Sequence, residues 1–82
     1  MKLANAVQKR LKELMKEKQY TQYRLSKISG VNQSSISTLL NNKNDSCKLS
    51  LVYQLSLYLC GGLSEFFNSE LFSQENIQSK YD

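Results

Sequence analysis

Apolar residues recur along the first part of the chain with the period of a helix. Leu3, Val7, Leu11 and Leu14 follow one another at steps of four, four and three, with Met15 beside them. They line one side of an amphipathic helix predicted over residues 3–18. The opposite side carries Lys9, Arg10, Lys12, Glu13, Lys16 and Glu17. Gln19 and Tyr20 interrupt the pattern. Thr21 then stands where an N-cap belongs, because its hydroxyl can accept an orphan backbone N–H. A second, short helix is predicted through Leu25 and Ile28 to Ser29, and Gly30, with no Cβ, is its natural stop. Asn32 is a further N-cap. It opens a third helix from Gln33 to Leu40, with Ile36, Leu39 and Leu40 inward and Gln33, Ser34, Ser35, Ser37 and Thr38 on its other faces.

Asn41-Asn42-Lys43-Asn44-Asp45-Ser46 reads as a loop by composition. Ser50 is the expected cap of a fourth helix, in which Leu51, Val52, Leu55 and Leu59 fall at helical spacing. The stretch from residue 49 to residue 59 also alternates apolar and polar, as a strand would, but its length and its helical neighbours favour a helix. Gly61-Gly62 ends it. A fifth short helix then turns Leu63, Phe66 and Phe67 inward. Leu71 and Phe72 are candidates for an exposed patch at which two copies meet. From Ser73 the chain is polar and aperiodic, so residues 1–72 are expected to form one domain and residues 73–82 a frayed tail.

Eighty-two residues are one domain's worth, with a small core and little room for a deep catalytic pocket. Residues 1–48 hold ten Lys/Arg against three Asp/Glu, whereas residues 49–82 hold one Lys against four acids. So uneven a distribution points to a face for a polyanion. Cys47 and Cys60 stand apart, and the chain has no His. A structural zinc site, which takes four Cys/His ligands, is therefore not expected. The two cysteines read as reduced thiols, with a single disulfide as the alternative. Cys47 lies beside Lys48, which could lower its pKa, but no base or oxyanion partner accompanies it. Neither an enzyme nor a cofactor is expected. No apolar run reaches the ~18 residues of a membrane span, and the first residues lack the apolar stretch of a signal peptide. The chain reads as cytoplasmic, with no membrane or metal partner.

Two short helices joined at a glycine form a helix-turn-helix unit. Gln22, Leu25, Gly30, Val31, Ile36 and Leu39 stand where such a unit needs them. Leu25 and Ile28 pack the first helix on the core, and Val31 and Ile36 hold the second against it. Residues 32–38 are left projecting at the end of the second helix that a major groove receives.

The segment T-Q-Y-R-L-S-K-I-S-G-V-N-Q-S-S-I-S-T-L-L-N-N-K, residues 21–43, resembles the Cro/C1-type (xenobiotic-response-element-like) helix-turn-helix family of phage and bacterial regulators. Y-L-C-G-G-L-S-E-F-F, residues 58–67, is similar to the family's closing segment. The resemblance covers about residues 5–68. It implies an all-α, five-helix domain of the lambda-repressor type, with the helix-turn-helix at helices 2 and 3. It implies a double-stranded DNA operator as partner, transcriptional regulation, most readily repression, and a homodimer. Residue by residue, it implies that Gln33 reads a base edge and that Ser34, Ser37 and Thr38 hold the other exposed recognition positions. Gln22 falls where the family contacts a phosphate, and Lys43 and Asn44 lie in the loop that meets the DNA backbone.

The side-chain chemistry agrees with those roles. Gln can bond bidentately to adenine, and Ser and Thr read bases permissively. Lys9, Arg10, Lys27, Lys43 and Lys48 can supply phosphate contacts. Asn32, as a cap, leaves a helix N-terminus available to a phosphate. The sequence also departs from the family. Leu40 stands where many members carry an acid that pairs with an arginine of helix 1, which leaves Arg10 to a phosphate or to water. Ser26 replaces a usual alanine, Asn42 a common glycine, and Cys60 another, with Gly61 one step later able to end the helix. The competing reading keeps the fold and changes the partner: a protein-interaction module such as an antitoxin or adaptor.

Overall fold

The computed structural model describes residues 1–41 and 47–77, and among these every regular element is helical. Five α-helices run in order: α1 (Leu3–Lys18), α2 (Gln22–Ser29), α3 (Gln33–Asn41), α4 (Leu49–Leu59) and α5 (Leu63–Phe66). A 3-10 turn, Glu70–Phe72, follows. The segment read as ambiguous between strand and helix is thus helical.

The helix ends follow the local chemistry. Thr21 Oγ1 accepts the Arg24 N–H at 3.0 Å and caps α2. Asn32 Oδ1 accepts the Ser35 N–H at 2.8 Å and caps α3. Ser50 does not cap α4; the helix begins two residues earlier than that cap implies, at Leu49, and its N-cap Lys48 makes no side-chain capping bond. At the other end of α1, Gln19 adopts a left-handed conformation (φ 58°), and the Tyr20 N–H reaches back to the Met15 carbonyl at 2.9 Å. That closing turn usually takes glycine, so the chain accepts some strain to end α1 abruptly.

One cluster holds the helices together: Val7, Leu11, Leu14 and Met15 of α1, Leu25 of α2, Ile36, Leu39 and Leu40 of α3, Val52, Leu55 and Leu59 of α4, and Phe66 of α5. Every helix contributes, so none buries its apolar face alone. Ile28, Val31, Leu63 and Phe67 pack against it as half-buried neighbours.

Leu3 departs from the expected stripe. It is 51% exposed, while Ala4 and Ala6 are buried. The buried line on α1 runs Ala4, Val7, Leu11, Leu14, and Leu3 lies at its edge on the first turn.

The C-terminal end also differs from expectation. Phe72 is not an exposed patch residue: its ring stands 4.8 Å from Phe67 and 6.0 Å from Phe66, centroid to centroid. The 3-10 turn folds it back onto α5, where it extends the core at a lower cost than an exposed ring would carry. Leu71 is half-buried beside it. Residues 73–77 carry turn hydrogen bonds. Asn76 Nδ2 donates to the Glu70 carbonyl at 2.6 Å, and the Asn76 carbonyl accepts from the Met1 amino group at 2.6 Å. These polar residues have no hydrophobic period because they are held by turn hydrogen bonds rather than by packing.

Candidate nucleic-acid interface

The turn between α2 and α3 is fixed from both sides. Gly30 takes φ +78°, with its N–H on the Ser26 carbonyl at 3.1 Å. No atom lies near the position a Cβ would occupy, so the glycine answers to backbone conformation, not to crowding. Ser29 is buried, and its Oγ accepts the Val31 N–H at 3.2 Å. Gln54 of α4 reaches across and donates to the Ser29 carbonyl at 3.1 Å. That carbonyl belongs to the last turn of α2 and has no partner within its own helix. At the far end of α3, Gln8 of α1 does the same for the Leu39 carbonyl, at 3.0 Å. The two helices of the unit are therefore held at a set angle by their neighbours.

With Ile36, Leu39 and Leu40 buried, the rest of α3 faces outward. Gln33, Ser34 and Thr38 are exposed and Ser37 is half-buried, so the four expected recognition residues share one accessible helix. Their hydrogen-bonding capacity differs. Ser34 Oγ donates its proton to Asn32 Oδ1 at 2.9 Å, so it meets a ligand mainly as an acceptor. Asn41 Nδ2 donates to the Ser37 carbonyl at 2.9 Å and approaches Ser37 Oγ at 3.4 Å. Gln33 is the one long, exposed amide in the set.

Asn32 is exposed, and its Oδ1 is occupied by the Ser35 N–H and the Ser34 hydroxyl. What it can present to an anion is its Nδ2 group, next to the first N–H groups of α3. Gln22 opens α2 and is half-buried. Lys43 and Asn44 lie outside the described residues.

Arg10 is half-buried and bonded within the fold rather than idle in water. Its Nε donates to the Phe66 carbonyl at 2.8 Å and its Nη2 to the Glu65 carbonyl at 2.9 Å, while Nη1 lies 3.8 Å from Glu13. Leu40 is buried in the core. The guanidinium has found other acceptors at the end of α5: the Phe66 carbonyl and the Glu65 carbonyl, the latter shared with the Asn68 N–H at 3.2 Å.

Two residues escaped the sequence reading. Tyr23, 60% exposed, and Arg24, also exposed, sit beside Gln22 on the first turn of α2. Lys27 Nζ lies 5.2 Å from the Tyr23 ring centroid, a cation–π contact that keeps the ammonium on this side of the helix. A signal for them exists in the sequence: residues 18–44 contain four Lys/Arg and no Asp or Glu. Neither α2 nor α3 has an acid in its first turn, so no carboxylate opposes an anion at either N-terminus.

Cys47 is a half-buried free thiol. Burial pushes its thiol pKa up, so the neighbouring Lys48 does not activate it. Among the described residues no group of three or more His, Cys, Asp or Glu could hold a metal ion, and no helix is long and apolar enough to cross a membrane.

The model of the Cro/C1-type HTH DNA-binding domain matches residues 10–68. The match spans α2, the turn and α3 and continues through α5. No curated protein and no solved structure matches the chain.

Proposed function

Because this chain belongs to the Cro/C1-type helix-turn-helix DNA-binding family, we propose that it is a sequence-specific transcriptional regulator, a repressor, that inserts α3 into the major groove. The family's members are DNA-binding regulators. The observation that carries the finer reading is the exposed face of α3, Gln33, Ser34 and Thr38, set in a segment of 27 residues without an acid.

Gln33 reads a base, its amide suited to adenine N6 and N7. Thr38 and Ser37 offer hydroxyls, and Ser34 offers acceptor lone pairs. Asn32 Nδ2 and the first N–H groups of α3 meet one phosphate, and Gln22 and Arg24 at the start of α2 meet another. Lys43 and Asn44, which follow α3 in sequence, contact the DNA backbone. Arg10 is assigned no phosphate, since its donors hold α5. With one long base reader among short hydroxyls, direct discrimination is modest and DNA shape contributes. The protein acts in the cytoplasm without catalysis, as a homodimer on a two-fold operator, because a single module of this size covers limited DNA surface.

Selection of bound duplexes from a random pool, at low and at moderate salt, tests this. The expected product is a two-fold sequence with half-sites about ten base pairs apart, bound less tightly as salt rises. Failure to enrich any sequence would contradict it and favour a protein-interaction module on the same fold.

A further inference from the structure

Helix α1 sorts its outward charges by sign. Gln8 donates to the Leu39 carbonyl, so its side of α1 lies against the C-terminal end of α3. Arg10 donates to the Phe66 and Glu65 carbonyls, so its side lies against α5. Lys12 stands one turn on from Gln8, on the α3 side. Lys9 and Lys16, three and four residues from Lys12, continue the row along the outer edge of the helix. Glu13 and Glu17 stand one and two turns on from Arg10, on the α5 side. All five are exposed. Beyond them α5 and the turn after it add exposed Glu65 and Glu70, and no Lys or Arg occurs from residue 49 to residue 79.

The lysine row has no partner within the fold. Among the described residues Lys9, Lys12 and Lys16 form no ion pair, and Glu13 turns to Arg10 instead, at 3.8 Å. Like charges three and four residues apart weaken a helix unless something outside neutralises them. Lys16 lies in the last turn of α1, where a cation is favourable in itself. Lys9 and Lys12 have no such local reason.

From this arrangement we infer that Lys9, Lys12 and Lys16 form a second DNA contact, which grips phosphates across the major groove from those met at Asn32. Charge complementarity selects the partner: three unpaired cations in a row, with the carboxylates turned away, suit a polyanion, and the family binds DNA. The groove sets the place. Helix α3 has nine residues, so it is about 13 Å long, against a major groove about 12 Å wide. With Asn32 at one wall, the C-terminal end of α3 and the edge of α1 beside it come to the other. From Lys9 to Lys16 the row runs about 10 Å, the axial length of about three phosphates on one strand. Ammonium groups on flexible stems carry affinity there and no sequence information. The place in the groove rests on the insertion of α3 proposed above; the cationic row depends on α1 alone.

The test needs no known operator, because a backbone contact is independent of sequence. Binding of the full chain to a mixed-sequence duplex of about 30 base pairs is measured by fluorescence anisotropy from about 50 to about 300 mM salt. Replacing Lys9, Lys12 and Lys16 together by Gln is expected to lower the slope of log affinity against log salt by about two to three, at ~0.9 per phosphate, and to weaken binding at low salt by about tenfold or more. Lys12→Gln alone is expected to lower the slope by about one, and Lys12→Arg to leave it unchanged. Lys18→Gln, which removes an exposed cation of the same helix outside the row, is expected to leave it unchanged too. The helical circular-dichroism spectrum should persist throughout, since all four side chains are exposed. An unchanged slope in the triple variant, or an equal fall for Lys18→Gln and Lys12→Gln, would overturn the inference. Should the slope fall as expected while duplex selection enriches nothing, base reading by α3 fails and the α1 contact stands. A selected two-fold site that the triple variant binds with the full slope means the reverse.

Discussion

Gln8 of α1 donates its side-chain amide to the Leu39 carbonyl of α3 across 3.0 Å, tying the first helix to the last turn of the candidate recognition helix. Gln54 of α4 does the same for the last turn of α2, through the Ser29 carbonyl. Arg10 does it for α5. Three helix C-termini that carry unpaired carbonyls are closed by long polar side chains from other helices. This small domain thus adds tertiary caps to the local ones at the ends of α2 and α5, and the orientation of α2 and α3 depends on residues outside both.

Removing the Gln54 tie is expected to loosen the turn without unfolding the domain. Gln54→Ala should cost about 0.5–1.5 kcal/mol, the usual net value of one hydrogen bond. Urea denaturation gives the number. Amide exchange should speed up at Gly30 and Val31 more than at Leu11, in the core of α1; equal acceleration at both would mean that the bond does not act on the turn.

Arg10→Ala should cost more, about 1.5–3 kcal/mol, because two charge-assisted bonds are lost along with the packing of the stem. Arg10→Lys should recover less than half, since an ammonium cannot span two carbonyls as the guanidinium fork does. Binding of the folded Arg10→Ala variant to duplex DNA should stay within threefold of wild type. A drop of tenfold or more, measured where the variant is folded, would return Arg10 to the DNA.

Much of this was legible in the sequence, for physical reasons that differ by residue. Hydrophobic periodicity places α1 to α4 to within a residue or two, because each helix must bury one stripe. Thr21, Gly30 and Asn32 announce the turn, since capping and positive φ each demand particular side chains. The exposed set Gln33, Ser34 and Thr38 follows once Ile36 and Leu39 are inward. Arg10 could not be read, because its acceptors are backbone carbonyls 55 and 56 residues away, and a carbonyl has no sequence signature. Phe72 misled for a related reason. A lone aromatic in a polar stretch looks the same whether it is exposed or folded back by a turn.

The thiol of Cys47 gives a pH test. Its folded pKa is raised by burial, so the unfolded chain loses the proton first as pH rises. Whatever stability the buried thiol contributes is therefore fully present at neutral pH. It is lost as pH rises above about 8.5, the ordinary thiol value, through the folded pKa. Alkylation of Cys47 in the folded protein at pH 8 should be slower than that of a free cysteine. A faster rate would point to activation by the neighbouring Lys48.

The central claim is that α3 reads bases through Gln33. Duplex selection with wild type and with Gln33→Ala tests it most directly. Gln33 is exposed, so its replacement leaves the core untouched. The account predicts that the variant still selects the site but loses preference at one position of each half-site, at a cost of ~1–3 kcal/mol there. An unchanged preference at every position, or a uniform loss of affinity across all sequences, would contradict it.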